Sequence, residues 1–162
     1  MNKIITFEAH VRWAKVFERN RDLGNDEYEK GRKIQQMEGQ YVVDCFPTDP
    51  DKLKHELEQA SVNMSPMGHD LFKVDDGKEY VKPHRYHTGP FAEMCGPPKV
   101  VDADGARWDS DVDIGNGSLC QIAVELWKPK TSKKYYIRLK AIKVLELVEF
   151  ENPVAPEDEW AI

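Results

Sequence analysis

No apolar run in the sequence approaches the ~18–20 residues needed to cross a bilayer, and the N-terminus, MNKIITFEAH, lacks a signal-peptide core. Membrane spanning and export drop out, and a cytosolic location is the expectation. Cysteine is scarce. Cys45, Cys95 and Cys120 are odd in number, widely spaced and without a CxxC pair, which argues against a disulfide framework or a zinc ribbon and leaves them as small core residues. Also missing are GxSxG, a P-loop, a Rossmann fingerprint, and any Cys/His or carboxylate pair at informative spacing. Nothing in the pattern calls for catalysis, a metal or a cofactor.

At 162 residues the chain has the size of one domain with short appendages. Hydrophobic residues make up 40% and charged residues 32%, and the apolar ones recur in short alternating runs, so the chain should fold. A net charge of −6 disfavours a nucleic-acid binder if spread evenly. It is not spread evenly. Residues 114–148 hold Lys128, Lys130, Lys133, Lys134, Arg138, Lys140 and Lys143 against Glu125 and Glu146, whereas 149–162 hold Glu149, Glu151, Glu157, Asp158 and Glu159 with no base. Most of the acidity lies in one detachable tail.

From Ile5 to Phe17 apolar residues take every second position (Ile5, Phe7, Ala9, Val11, Trp13), which predicts a long half-buried strand. Residues 18–39 are charged, contain three glycines and read as a long loop or polar hairpin. A second strand, Tyr41–Phe46, leads into a helix where Asp49 caps, Pro50 suits the first turn, and Leu53, Leu57 and Ala60 share a face. Residues 71–82 read as a hairpin turning at Asp76-Gly77, and Pro83 marks an edge. Strands follow at Lys99–Val101, Ser118–Trp127 and Tyr135–Phe150, the last with an apolar phase slip near Ala141-Ile142 that predicts a bulge. The expected class is all-β with one or two short helices: an OB-fold, five-stranded barrel with a helix inserted after the second strand and an acidic C-terminal tail.

The chemical pattern that stands out is cations interleaved with aromatics. It occurs at Arg12-Trp13-Ala14-Lys15-Val16-Phe17, at Tyr80 through His87, and from Lys128 to Lys140. Unpaired nucleic acid needs both, because cations neutralise phosphates and ring faces stack on bases. Candidate DNA contacts are Arg12, Lys15, Arg19, Arg21, Lys30 and Arg32 near the first strand, and Tyr80, Lys82, His84, Arg85 and Tyr86 around the hairpin. Lys128, Lys130, Lys133 and Lys134 in the penultimate loop, with Tyr136 and Arg138, complete the set. The bland alternative makes the rings core and the lysines merely solvated.

Asp102, Asp104, Asp109, Asp111 and Asp113 lack the closing Glu of a calcium loop and read as an acidic surface hairpin; a magnesium-dependent nuclease built on them is a remote alternative. His84 and His87 have no second ligand pair. The tail joins Glu157, Asp158 and Glu159 to Trp160, a combination that can lie in the chain's own cationic groove or dock into a basic-rimmed apolar pocket on a partner.

An ordered series of segments carries a family resemblance: YVVDCFPTDPDKL, KVDDGKEYVK, KVVDADG, DVDIGNGSLCQIAVELW and IRLKAIKVLELVEF, then an acidic aromatic tail. The turn Ile114-Gly115-Asn116-Gly117-Ser118 is the most telling piece. In this order the chain resembles the single-stranded DNA-binding proteins of tailed bacteriophages, of the podovirus replication type. The resemblance implies an OB-fold domain over 1–150 and a flexible acidic tail over 151–162. It further implies non-catalytic binding of single-stranded DNA in phage replication, recombination and repair, within the host cell cytoplasm, with protection and annealing of strands. The tail would recruit replication proteins such as a polymerase or a helicase-primase, and a homodimer stays open. The tail departs from the family in ending Trp-Ala-Ile instead of in Phe. A competing reading is a phage assembly or protein-interaction module with a barrel scaffold and no nucleic-acid role.

Overall fold

Each long strand has one apolar face, and those faces turn inward onto a shared core. The computed structural model describes residues 3–24, 35, 37–60, 71–127 and 135–149. Strand β1 (Lys3–Lys15) contributes Ile5, Ala9 and Val11, and β2 (Gln40–Pro47) contributes Val43 and Cys45. Helix α1 (Pro50–Ala60) is capped by Asp49, whose carboxylate accepts the Lys52 amide at 3.1 Å. Its Leu53 and Leu57, one turn apart, join the same core, each burial contributing about 1.5–3 kcal/mol.

A hairpin follows, β3 (Lys73–Asp75) and β4 (Lys78–Tyr80), standing apart as a two-stranded sheet. Asp76 and Gly77 both have positive φ, 50° and 75°, as a type I′ turn demands. Pro83 was expected to mark an edge, and here the structure differs. It is buried one residue before β5 (His84–Tyr86), a strand paired with β2 on one side and with β8 on the other. Placed there, its missing N–H interrupts no ladder bond.

Strand β6 (Lys99–Val101), β7 (Leu119–Trp127) and β8 (Tyr136–Glu146) complete the described strands. The sheet runs β5-β2-β1-β7-β8-β6, and β5 closes onto β8 in parallel, His84 opposite Arg138. Five strands thus ring a closed barrel with a helix after the second, which is the expected OB class; β6 adds outside it, parallel to β8. The seam between β5 and β8 is braced by Arg85, whose guanidinium donates to the carbonyls of Gly96 (2.7 Å), Cys95 (3.0 Å) and Leu139 (3.1 Å). Burial, and then the charge of Arg138, hold the Arg85 pKa below its ordinary value.

Three irregularities interrupt the ladders among the described residues, one of them at Leu145 of β8, opposite Leu119 and Cys120. In β8, Leu139 pairs with Val124 and Ala141 with Ala123, leaving Lys140 as the extra residue. Burial then shifts from Ile137 and Leu139 to Ile142 and Val144, at the place where the sequence phase slips. In β1, Arg12 pairs with Asp44 and Lys15 with Val42, so one residue is extra there too, and Trp13 has φ 51°. The alternation that put Trp13 among the inward residues fails: the residue is 58% exposed, and Val16 and Phe17 are buried instead.

The last strand ends at Glu146, short of the expected Phe150. Beyond it the Val148 amide donates to Ser118 Oγ at 2.8 Å, and that hydroxyl lies 3.3 Å from the Val148 carbonyl. Cys45 and Cys120 are buried and Cys95 only partly so; burial pushes the Cys120 thiol up to about 12. Among the described residues no helix is long and apolar enough to cross a membrane. The tail, 151–162, lies outside the described residues.

Candidate nucleic-acid interface

Because side chains alternate across a pleat, every second residue of the barrel strands faces out. Register brings the outward residues of neighbouring strands into rows. Lys15 pairs with Val42, Val42 with His84, His84 with Arg138, and Arg138 with Glu125. The rows on either side hold Arg12 with Asp44, Tyr136 with Trp127, and Gln40 with Tyr86. Lys82 precedes His84 by two residues and keeps to the same side. This outward face of β2 and β5, extended over β8, is the surface that OB folds offer to oligonucleotides. In OB folds the loops after the first strand and before the last flank such a face.

Two ring–guanidinium stacks stand on this surface. At one side Arg12 lies 4.9 Å from the Phe46 ring centre and 5.1 Å from that of Tyr80, with those two rings 5.1 Å apart. Asp75 and Asp44 both accept from its guanidinium, the latter at 2.9 Å, and hold its pKa above the ordinary value. At the other side Arg138 lies 4.7 Å from the Trp127 ring centre and pairs with Glu125, while Trp127 and Tyr136 stack at 5.6 Å and 35°. Between them the His84 and Tyr86 rings meet edge to face at 5.4 Å. Since both arginines are neutralised by carboxylates, the stacks offer ring faces more than charge, each cation–π contact contributing about 0.5–1 kcal/mol.

Charge comes from Lys15 and Lys82, both exposed. They line an open cleft of about 460 Å³ with Trp13, Val42, Asp22, Asp44, Asp113 and Asn116. Asp44 is already paired with Arg12, and Asp113 with Arg19 at 2.6 Å. Among the described residues Asp22 is the remaining acid of the cleft. Burial pushes its pKa up, but hydrogen bonds from Gln40 and the Gly24 amide, with the charges of Lys15 and Lys82, outweigh burial and hold it below the ordinary value. Trp13 stands on the β1 bulge with its amide donating to Asn116 Oδ1 at 2.8 Å. A non-glycine residue at this φ costs roughly 1–2 kcal/mol, so something holds it there.

Of the residues singled out in the sequence, Arg12, Lys15, Tyr80, Lys82, His84, Tyr86, Tyr136 and Arg138 come together on this surface. Arg85, on the same strand, is committed to the seam. Arg19 and Arg21 line a separate cleft with Phe17, Val101 and Trp108, where Arg19 also donates to the Ser110 carbonyl and Arg21 to those of Glu18 and Glu38. Lys30, Arg32, Lys128, Lys130, Lys133 and Lys134 fall outside the described residues, as do Glu157, Asp158, Glu159 and Trp160. Phe46 and Trp127 were not among the candidates, and Trp13 entered only as a member of the first cation–aromatic run. The period-2 alternation of β2 and β7 could have placed Phe46 and Trp127 outside; for Trp13 the local pattern pointed the wrong way. In the Asp-rich segment, Asp102 accepts the amides of Asp104 and Ala106, and Asp109 that of Asp111, which uses these carboxylates as turn caps.

No protein-family model matches the sequence, and no curated protein does. Solved structures do. The single-stranded DNA-binding protein gp2.5 of bacteriophage T7 matches over 96% of both chains at 20% identity and a TM-score of 0.55. The single-stranded DNA-binding protein of bacteriophage Enc34 matches over 97% of this chain and 89% of its own at 12% identity, with a TM-score of 0.56. The same Enc34 protein in complex with single-stranded DNA matches over 92% and 89% at 13% identity, with a TM-score of 0.59. At such identities the likeness is one of fold.

Proposed function

We propose that the chain binds single-stranded DNA without catalysis, on the outward face of β2, β5 and β8. The observation that carries this reading is the pair of ring–guanidinium stacks flanking Lys82 and His84 on the surface where OB folds take oligonucleotides. Rings held at outward positions have faces for unpaired bases, which a duplex hides, and a stacked base contributes about 1–3 kcal/mol. The fold shared with two phage single-stranded DNA-binding proteins, one of them solved with its ligand, supports the same reading. In this role residues 1–150 hold the strand, protecting it and aiding annealing during phage replication, recombination and repair. The acidic tail recruits replication proteins, with Glu157, Asp158, Glu159 and Trp160 as its contacts.

Titration of the full chain with oligo-dT and with duplex of equal length, read by filter binding, tests the proposal. Single strand should bind more tightly than duplex, and Tyr136→Ala should lose about tenfold in affinity. Equal binding of both forms would remove the role given to the rings, and no binding to either would leave the barrel as an assembly scaffold.

A further inference from the structure

We infer that Trp13 is a platform on which one unpaired base stacks, and that Asn116 is the residue that positions it. This rests on the proposed single-strand binding and adds a site to it on the β1 side. Strand alternation would send residue 13 into the core, and one extra residue in the ladder reverses that. The reversal places a tryptophan at φ 51°, where glycine would sit freely, and leaves the residue 58% exposed. A residue kept for packing would do neither.

The bulge is clamped from outside the strand. The Asn116 side chain takes the Trp13 amide at 2.8 Å, the Gly117 amide donates to Val11 at 2.7 Å, and the Val11 amide donates to Ser118 at 3.0 Å. His10 Nδ1 lies 3.0 Å from the Gly117 carbonyl. One turn thus holds β1 at His10, Val11 and Trp13, leading into the bulge, and it satisfies the amide that the bulge removes from the ladder. The cleft beside the ring has two ammonium groups in its walls, Lys15 and Lys82. A ring beside two cations matches one base and its neighbouring phosphates.

The test uses the full chain, oligo-dT and thermal unfolding. Trp13→Gly should leave the melting temperature unchanged or raise it, because the strain is relieved, while affinity falls about tenfold, or 1.4 kcal/mol. Trp13→Phe should stay within about threefold of wild type in affinity yet lose much of the tryptophan quenching on binding. Asn116→Ala should weaken binding by a factor similar to that of Trp13→Gly, and the double variant no more than either alone. A Trp13→Gly protein that binds as wild type does, or that melts well below it, would overturn the platform; additive losses in the double variant would overturn the role of Asn116. Were wild type itself indifferent to oligo-dT, the fault would lie with the proposed function, whereas tight wild-type binding beside an indifferent Trp13→Gly condemns only the platform.

Discussion

The outward positions on the two halves of the barrel obey the same pleat but carry different chemistry. On one side, the stretch of β1 from Ile4 to Glu8 and its partners in β7 turn out Ile4, Thr6, Glu8, Gln121 and Ala123 without an aromatic ring among them, while the far ends of these two strands, with Trp13, Lys15 and Trp127, belong to the other side. On β2, β5 and β8 the outward positions include Phe46, His84, Tyr86 and Tyr136. Both halves close around one core, so closure does not require rings outside. Charge separates less sharply than rings do. Beside α1, Glu8, Asp49 and Glu56 line a groove with Lys52, whereas the ring-bearing half sets Lys15 and Lys82 around Asp22. A chain of net charge −6 presents cations there by pairing off its acids: Asp44 and Asp75 with Arg12, Asp113 with Arg19, Glu125 with Arg138.

Substitutions that blur this contrast should act in proportion to how much charge they move. The largest effect is expected from Lys133→Glu with Lys134→Glu, in the connection that begins at Trp127 and ends at Tyr136. Oligo-dT binding should weaken about a hundredfold at low salt, and the log–log salt slope should become shallower by about 1.4, as loss of two phosphate contacts implies. An unchanged slope in a filter-binding salt series would detach that connection from the DNA. Asp22→Asn should act in the opposite sense, tightening binding about threefold by freeing Lys15 and Lys82. Its pH signature is separate. The folded-state pKa of Asp22 lies below the unfolded value near 4, so its ionised form stabilises the fold above that value and the contribution is lost as pH falls through the depressed one. Melting curves of Asp22→Asn should therefore lie below wild type at pH 7 and converge with it in acid; parallel curves would deny the carboxylate its role. The smallest effect belongs to Glu8→Lys, which adds a cation to the ringless half and should alter affinity less than twofold. A gain as large as that of Asp22→Asn would erase the distinction between the halves.

How far the sequence carried depended on the distance over which each feature is decided. The helix cap at Asp49, the positive-φ turn at Asp76-Gly77 and the β8 bulge at Lys140 are set by neighbours in the chain, and each was legible from local pattern. The β1 bulge is set by Asn116, 103 residues away, and no period within Ile5–Phe17 reports it. The same holds for β5. His84–Tyr86 is too short to show alternation, and it is a strand because β2 and β8 leave a gap between them that it fills. Pairing across the barrel also decided the arginines, since a guanidinium read as a free cation in the sequence finds Asp44, Glu125 or a set of backbone carbonyls once the strands close.

The junction where β5 meets β8 has one ladder pair among the described residues, His84 with Arg138, where β7 and β8 have nine. A barrel stitched so thinly along one line opens there first, and the brace from Arg85 sits beneath it. Tyr86 and Tyr136 stand on opposite banks of that line. A guest lying across both rings would act as an external suture, so occupancy and resistance to unzipping would rise together as guest concentration increases.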